Sequence, residues 1–545
     1  FKMIRYIWGI TSGFHGRITI SASAGIARVI TGLIFVALSK RAVDLATGDA
    51  SGNLLLCISG LVCALMIELI CAAIGNRTSE LSEADMKNRL QKRLFSHLMS
   101  TKWDGKEKFH SGEVLSRLTE DCRVAAECLC RTVPTIMIAT VQLLGAFFFL
   151  WYFSPLLAIT LIIILPLFLI AGKIFFRKMK VLTRRIRDIE SRLQEKMQES
   201  LQHRILLITC RQTLRTIDAI SALHHSRFGI IRKRANITMY SRTAVIAGFE
   251  SGYLAAFLWG IHGLYNGTIS FGMMTAYLQL AGQIQRPLAE LARLLPGLIQ
   301  SHTAFSRIFE IERLPKEEET SESEISGTTS PLGISFRNVT FSYPGKECPV
   351  ISKFNHIFPP GSNTAIMGET GAGKSTLLRL ILALLTPQEG EIEIFSDSGN
   401  KEVSVPVSAA TRGQIVYVPQ GNSLLSGTIR YNLRTAKPDA TEEEMRAALH
   451  DAAADFVFNL KFGLETTCGE HGDGLSEGQA QRIAIARGLL KPGAILLLDE
   501  ISAALDEETE KQLMQRLSQR TGSHTILFVT HRSGVIPFCD DILRV

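Results

Sequence analysis

The chain has 545 residues, a formal net charge of +8 and charged side chains at 20% of its positions. This length exceeds what one hydrophobic core organises, so two or more domains are expected. A positive mean hydropathy of +0.18 beside so many charges excludes a uniformly soluble body and indicates a membrane part joined to a soluble part.

The ten cysteines show neither zinc-site spacing nor a CxxC pair, so we expect reduced thiols with a structural role. No cleavable signal peptide is evident at the start of the chain. The sequence begins at Phe1 rather than Met and stops soon after His531, so both ends are expected to be truncated. Residues 1–17 mix basic and aromatic side chains, which predicts an interfacial helix.

Six apolar runs follow, each long enough for the roughly 20 residues that a membrane-spanning helix needs. The third and fourth runs are interrupted only at Ser154-Pro155, which predicts a tight hairpin whose second helix starts at the proline. The six predicted spans lie near 18–43, 53–75, 134–153, 155–175, 243–265 and 271–297.

The polar stretches between the spans predict the orientation in the membrane. Residues 76–133 and 176–242 are long, polar and helical in pattern, and the second carries sixteen Lys/Arg against five Asp/Glu. Both are therefore expected in the cytoplasm as extensions of the spans. The short connections carry no basic residue and are expected outside. Lys40 and Arg41 run against this rule. The positive charge thus has a topological explanation, and no nucleic-acid partner is expected.

Four charged residues, Arg28, Glu68, Glu250 and Arg286, fall inside predicted spans. Charges within a membrane are expensive and face a cavity or one another. Two interpretations stay open: some of the four line an inward-open cavity and contact a polar part of a substrate, or they form internal ion pairs that fix helix packing. A third is that the helices overhang the bilayer and these side chains are wet.

The character of the sequence changes after residue 310. An acidic stretch rich in Ser and Thr, without apolar periodicity, predicts a linker over 311–331. From residue 332 to 545, short β-rich runs alternate with helical patterns, as in an α/β domain. The predicted fold is therefore an all-α membrane domain over 1–310, with six long transmembrane helices, followed by a cytosolic α/β domain.

The stretch "TAIMGETGAGKSTLLRLILALL" is a strand, a glycine loop and a helix that match G-x-x-x-x-G-K-[ST]. Glycines let successive backbone N–H groups converge on phosphate oxygens, and the helix N-terminus adds its dipole. The lysine reaches the β- and γ-phosphates, and the serine hydroxyl binds Mg²⁺. The predicted phosphate-binding residues are Gly368, Thr370, Gly371, Gly373, Lys374, Ser375 and Thr376.

A second apolar strand, 495–498, ends in Asp499 and Glu500. Its unbroken apolar character predicts a place beside the loop strand in a parallel sheet. Asp499 is then expected to hold Mg²⁺ through water, and Glu500 to orient or deprotonate the attacking water. ATP and Mg²⁺ are therefore the predicted ligands, and the cytosolic α/β domain is predicted to be a P-loop ATPase domain.

Taken together, these motifs and spans resemble an ABC transporter, specifically an exporter half-transporter that fuses six spans to one nucleotide-binding domain. The resemblance covers nearly the whole chain. It implies that Leu475-Ser476-Glu477-Gly478-Gln479 is the family signature, with Ser476, Gly478 and Gln479 binding nucleotide. Further roles that it implies are adenine stacking for Tyr343, Mg²⁺ sensing for Gln420, an interface loop ending at Asp506 with Ala503 in place of the usual serine, and a γ-phosphate switch for His531.

The resemblance also implies a dimer, in which the signature of one subunit closes over ATP held by the other. Ser476 and Gln479 fit an S-x-x-Q capping box, which exposes a helix N-terminus as a second anion site. By position, residues 108–120 and 209–220 are candidates for short coupling helices. Glu477 stands where the family usually has glycine. A homodimer with Glu477 turned away is the favoured interpretation, and the catalytic half of a heterodimer with one degenerate site is the alternative.

Other classes remain as alternatives. A soluble ABC ATPase does not account for six spans, and importers usually keep spans and nucleotide domain on separate chains. An ATP-gated membrane protein shares the fold and would differ in lacking substrate-stimulated turnover. The expected location is a bacterial inner membrane, with the nucleotide-binding domain in the cytoplasm. The substrate stays open between lipid, peptide and amphiphilic drug.

Overall fold

The computed structural model describes residues 9, 13–103, 111–317, 331–345, 348–369, 371–398, 401–421, 423–469, 474–501, 505–519 and 524–545. The chain forms two compact units. The helical unit comprises Phe1–Ser96 and Gly112–Glu312, and the α/β unit comprises His97–Ser111 and Arg313–Val545. Most of the predicted interfacial segment 1–17 and of the predicted linker 311–331 lies outside the described residues.

Long helices make up the helical unit, and each of the six apolar runs falls inside one of them, except that residue 53 precedes its helix. By length and composition, four helical stretches among the described residues can cross a membrane: His15–Thr47, Leu54–Met99, Gly112–Phe153 and Thr213–Tyr265. The helices are α1 (His15–Thr47), α2 (Leu54–Met99), α3 (Ser111–Ser116), α4 (Cys122–Glu127), α5 (Val133–Phe153), α6 (Pro155–Gln202), α7 (Arg204–Thr209), α8 (Thr213–Tyr265) and α9 (Phe271–Glu312).

Two π-helical turns, Arg117–Asp121 and Cys128–Thr132, join α3, α4 and α5 into one continuous helical stretch. Residues 111–120, most of the first predicted coupling helix, therefore belong to this long stretch, and 108–110 lie outside the described residues. The prediction for 209–220 was wrong in position, because the short helix of that loop is α7. Arg211 (φ 54°) turns the chain there, and residues from Thr213 onward start α8.

The outer end of α1 explains one of the two exceptions to the charge rule. Asp44 is buried, and its Oδ1 accepts the Gly272 N–H at the start of α9 over 3.1 Å. The Lys40 ammonium lies 3.3 Å from the same carboxylate. A buried carboxylate needs a cation and hydrogen-bond donors. Lys40 therefore serves a local ion pair. A Cβ at Gly272 would meet Asp44 Oδ1 at 2.3 Å, so only glycine lets α9 approach this closely.

The described residues of the α/β unit form three sheets. A four-stranded antiparallel sheet has the order β2-β1-β4-β5, and a five-stranded parallel sheet has the order β11-β3-β10-β9-β6. The strands are β1 (Gly333–Phe341), β2 (Ile351–Phe358), β3 (Asn363–Met367), β4 (Glu389–Ser398), β5 (Lys401–Pro406), β6 (Ile415–Val418), β7 (Gly427–Thr428), β8 (Thr467–Cys468), β9 (Ile495–Asp499), β10 (Thr525–Val529) and β11 (Asp541–Arg544), with β7 paired to β8.

Helices cover the parallel sheet, whose central strands β9 and β10 are buried along their whole length. This burial on both faces explains why they are unbroken apolar runs. Strand β10 lies between β3 and β9, so the phosphate loop and the two acids emerge at the same edge of the sheet. The helices are α10 (Lys374–Ile381), α11 (Ile429–Arg434), α12 (Glu442–Asp451), α13 (Glu477–Leu490) and α14 (Glu507–Ser518).

Candidate nucleotide site

The phosphate loop connects β3 to α10. Gly371 (φ 93°) and Gly373 (φ 109°) adopt left-handed backbone conformations that side chains disfavour. Lys374 begins α10 and is buried. Its Nζ donates to the Gly368 carbonyl at 2.7 Å and to the Glu369 carbonyl at 3.0 Å. The ammonium is therefore already inside the loop, where a phosphate oxygen can replace a carbonyl as its partner.

A cavity of about 660 Å³ opens over this loop. Most of the predicted nucleotide-site residues line it, although they are spread over almost 190 positions of the chain. Thr370 lies outside the described residues. The lining residues are Tyr343, Val350, Gly368, Glu369, Gly371, Gly373, Lys374, Ser375, Thr376, Gln420, Glu500 and His531.

Asp499 closes β9 and is buried behind this cavity. Burial, reinforced by the adjacent Glu500 carboxylate, raises the pKa of Asp499. The Tyr417 hydroxyl donates to Asp499 Oδ2 at 3.4 Å, and burial beside this carboxylate raises the pKa of Tyr417 to about 12. Two neighbouring acids that repel one another at a phosphate loop form a site that a cation would stabilise.

Glu500 has a strained backbone. Its φ is 47°, in the left-handed region that non-glycine residues rarely occupy. Two hydrogen bonds hold this conformation: the Glu500 N–H donates to Val529 O at 2.9 Å, and Gln481 Nε2 donates to Glu500 O at 3.2 Å. The backbone is thus over-determined, and it directs the carboxylate into the cavity.

The Glu500 carboxylate has two predicted site residues beside it. Gln420 Nε2 donates to its Oε2 at 2.6 Å, and His531 Nδ1 lies 3.8 Å from its Oε1. Residues from β6, β9 and β10 thus converge, because all three strands end at the same edge of the parallel sheet. This geometry can hold a water molecule against a terminal phosphate.

The signature segment lies on another part of the α/β unit. Ser476 caps α13: its Oγ accepts the Gln479 N–H at 3.2 Å, and the Gln479 side chain accepts the Ser476 N–H at 3.0 Å. The expected capping box is therefore present. Glu477 is exposed in the first turn. Among the described residues, Ser476, Gly478 and Gln479 do not line the phosphate cavity.

Asp506, the last residue of the segment expected at a dimer interface, caps the following helix. Its Oδ1 accepts the Thr509 N–H at 2.9 Å at the start of α14. Ala503, the departure from the family pattern, lies outside the described residues.

Comparison with known proteins agrees with this geometry. The family profile described as ABC transporter transmembrane region matches residues 18–288, and the one described as ABC transporter matches 351–503. The two profiles occur in the order of the two units and together cover most of the chain. The chain belongs to the ABC transporter family. As a member, it couples ATP hydrolysis to transport across a membrane.

Curated relatives of this ABC transporter are named ATP-dependent lipid A-core flippase. Those of Photorhabdus laumondii and Pectobacterium atrosepticum are 28% and 29% identical over 99% and 100% of this chain, and the matches cover 92% and 93% of those proteins. The solved structure of a bacterial Atm1-family ABC exporter with ATP bound has a TM-score of 0.79 and 23% identity, and the match covers 98% of this chain and 94% of that one. This likeness shows a shared fold: helical membrane domain first, α/β domain second.

The residues around the site fit Mg²⁺ as well as ATP. Within the described part of the chain, no group of three or more His, Cys, Asp or Glu side chains could hold a metal. Asp499 would therefore act with the Ser375 hydroxyl, Gln420 and oxygens of the nucleotide or water, a set that suits a hard cation. When bound, Mg²⁺ would neutralise charge on the phosphates.

Sequence reasoning missed several residues of this transporter's site. Val350 and Glu369 line the cavity, Tyr417 contacts Asp499, Gln481 supports the Glu500 backbone, and Arg379 contacts Tyr343. Gln481 and Arg379 lie a few residues beyond recognised motifs, on the helices that follow them. Nothing local in the sequence distinguishes them from surface residues, since their partners are distant in the chain.

Proposed function

We propose that two copies of this chain form an ATP-driven exporter with two shared nucleotide sites. The observation that supports it is the separation, within one chain, of the phosphate cavity from the capped helix of the signature. Among the described residues, the lining of this cavity contains none of the signature residues of the same chain, so a second anion-binding surface is needed to complete the site. A second copy supplies that surface with its Ser476, Gly478 and Gln479.

Within each site the residues divide the work. Lys374 and the loop N–H groups bind the phosphates, Tyr343 stacks on the base, and Ser375, Gln420 and Asp499 hold Mg²⁺. Glu500 orients and deprotonates the attacking water, with His531 at the γ-phosphate. Two capped helix dipoles and two lysines draw the subunits together around ATP, and hydrolysis lets them part.

Mixing two inactive variants tests the shared site. A Lys374→Ala chain cannot bind phosphate but keeps its signature, whereas a Ser476→Phe chain keeps its phosphate loop. Each homodimer should be inactive. Co-expressed and purified together through two different tags, the pair should recover one working site and roughly half of wild-type turnover if the two sites are independent.

The matched control is the pair Lys374→Ala with Glu500→Gln. Both changes lie in the phosphate half, so this heterodimer has no complete site and should stay inactive. Equal activity in the two mixtures, or none in the first, contradicts sharing between subunits.

For the substrate we propose a lipid-like amphiphile with a charged head group, carried across a bacterial inner membrane. The relatives named lipid A-core flippases support this class. A second support is a cavity of about 300 Å³ in the helical unit, between α1, α2, α5 and α9. Its lining includes Arg28 and Arg131, with Glu80 and Glu290. Side chains of both signs suit a polar head group, and the apolar outer faces of these helices suit its tails.

The intramembrane arginines provide a matched pair for this proposal. Arg28 lines the cavity, whereas Arg286, Glu68 and Glu250, all described residues, do not. Arg28→Gln should abolish lipid-stimulated ATPase activity in proteoliposomes and leave basal ATPase activity intact, and Arg286→Gln should leave both intact. A panel of anionic lipid, zwitterionic lipid, peptide and amphiphilic drug identifies the class. Stimulation by peptide alone would overturn the lipid assignment.

The departure in the signature supports a second candidate, the catalytic half of a heterodimer. Glu477 is exposed at the N-terminal turn of α13, where a carboxylate favours the helix dipole yet adds negative charge beside a neighbouring triphosphate. A chain that hydrolyses ATP alone, with cooperative kinetics little changed by Glu477→Gly, supports the homodimer. A chain that is inactive until a second half-transporter is added supports the heterodimer.

A further inference from the structure

Three side chains of the α/β unit form a continuous contact from the phosphate cavity to the segment that follows α2. Tyr343 lines the cavity. Arg379, in the last turn of α10, donates from one guanidinium nitrogen to the Tyr343 hydroxyl at 3.2 Å. The Arg379 guanidinium lies over the Trp103 ring, 5.2 Å from its centroid. Neither Trp103 nor Arg379 belongs to a recognised motif.

The Tyr343 ring is held on several sides. Phe341 packs edge-to-face against it, with ring centroids 5.0 Å apart. Its hydroxyl also lies 3.2 Å from the Thr376 hydroxyl, so two residues of the helix that follows the phosphate loop, Thr376 and Arg379, contact the same oxygen. The ring face available to a base is therefore set by α10, the helix that also begins with Lys374.

The backbone directly before Trp103 is held by a short antiparallel ladder of hydrogen bonds. The Glu317 N–H donates to Ser100 O at 2.9 Å, and the Lys102 N–H donates to Pro315 O at 3.0 Å. The ladder joins the residues that follow α2 to the residues that follow α9. Trp103 extends from its end onto the core that contains Tyr343 and Val350.

The ladder is itself tied to the far end of α10. The Glu317 carboxylate receives two hydrogen bonds from Arg412, at 2.6 and 2.8 Å. Arg412 also donates to the carbonyls of Leu382 and Ala383, at 2.7 and 3.0 Å. Both ends of the link from Trp103 to α10 are thus held by several hydrogen bonds, which favours one orientation of the side chain between them.

We propose that Arg379 and Trp103 are positioning residues for base recognition: they hold the Tyr343 ring in the orientation that stacks on adenine. The inference rests on the stacking role proposed for Tyr343. It adds two residues to the site, and it places one of them in the segment that leaves α2. Without Arg379, the Tyr343 hydroxyl keeps only its contact with the Thr376 hydroxyl. Without Trp103, the Arg379 guanidinium loses the aromatic ring that packs against it.

The test separates the base from the phosphates. Affinities of the full-length protein for ATP and for inorganic tripolyphosphate are measured by competition with labelled ATP. Arg379→Met and Trp103→Ala should each weaken ATP binding by about three- to tenfold, the range of one hydrogen bond or cation–π contact. Tripolyphosphate, which has no base, should bind as it does to wild type. Trp103→Phe keeps an aromatic face and should restore most of the ATP affinity.

The control is Arg446→Met, which removes a cation–π contact of the same kind: the Arg446 guanidinium lies 5.0 Å from the Phe458 ring centroid, and neither residue lines the phosphate cavity. Both affinities should be unchanged. If Arg379→Met weakens ATP and tripolyphosphate equally, or weakens neither, the inference is wrong.

A Tyr343→Ala variant distinguishes failure of the inference from failure of the function beneath it. It should lose ATP affinity at unchanged tripolyphosphate affinity. If it does so while Arg379→Met and Trp103→Ala behave as wild type, Tyr343 stacks on the base and only the positioning inference falls. If Tyr343→Ala does not discriminate between the two ligands, the proposed stacking role is wrong and the inference falls with it.

Discussion

Different substitutions of Glu500 test its proposed catalytic role and its strained backbone separately. Glu500→Gln keeps an oxygen for the 2.6 Å contact with Gln420 and removes the charge that would take a proton from water. General-base catalysis of this kind contributes about 10²- to 10⁴-fold, so turnover should fall by that factor. ATP binding should persist, because the phosphate-binding groups Lys374 and Ser375 are untouched.

The strained backbone of Glu500 also predicts which of two variants, Glu500→Gly or Glu500→Ala, is the more stable. A left-handed conformation costs a non-glycine residue about 1–2 kcal/mol, and glycine avoids this cost. Glycine also has more conformational freedom in the unfolded chain, which lowers the free energy of unfolding by about 0.5–1 kcal/mol relative to alanine. Glu500→Ala and Glu500→Gly lose the same contacts with Gln420 and His531. The glycine variant should therefore be more stable than the alanine variant by up to about 1.5 kcal/mol, the reverse of the usual order.

Three measurements on the purified transporter check these expectations. Phosphate release and nucleotide binding test Glu500→Gln, and thermal unfolding midpoints without nucleotide rank the glycine and alanine variants. Wild-type hydrolysis by Glu500→Gln refutes the catalytic assignment. An alanine variant that melts above the glycine variant refutes the argument from the φ of 47°.

Three further predictions concern Lys374, Asp499 and Ser476. Lys374→Ala should weaken binding of ATP and tripolyphosphate alike in a filter assay. Unchanged affinity for both ligands contradicts the proposed role of Lys374 in binding phosphate. Because the pKa of Asp499 is raised, its contribution to stability is fully present below the ordinary Asp pKa and is lost as pH rises through the raised value. Asp499→Asn should therefore melt higher than wild type at pH 7, by a margin that shrinks toward pH 4, while ATPase activity is lost; a margin independent of pH contradicts this. Ser476→Ala removes the helix cap and should lower stability by about 1 kcal/mol, whereas Ser476→Asp should retain the cap in a thermal melt.

The motifs that could be interpreted from sequence are those whose physics is local. The phosphate loop, the capping box at Ser476 and the buried strand ending in Asp499 each depend on residues within a few positions of one another. Their spacing is dictated by one turn, one helix start or one strand, so the pattern predicts the geometry. The apolar runs predicted long helices, because about 20 apolar residues in a helix match the membrane thickness, and four helical stretches of the described residues can cross a membrane by length and composition. The short helix at 204–209 was misplaced because the turn at Arg211 has no Gly or Pro signal.

Contacts between distant segments were decided by the tertiary structure alone. Arg28 and Arg286 look equivalent in sequence, yet only the rotation and packing of their helices put Arg28 into a cavity. The left-handed backbone of Glu500 depends on Val529 and Gln481, which belong to another strand and another helix. Trp103 meets Arg379 from a position 276 residues earlier in the chain. Such pairs leave no periodicity behind, since either partner alone is compatible with a solvent-facing site, and only the fold brings them within hydrogen-bonding or stacking distance.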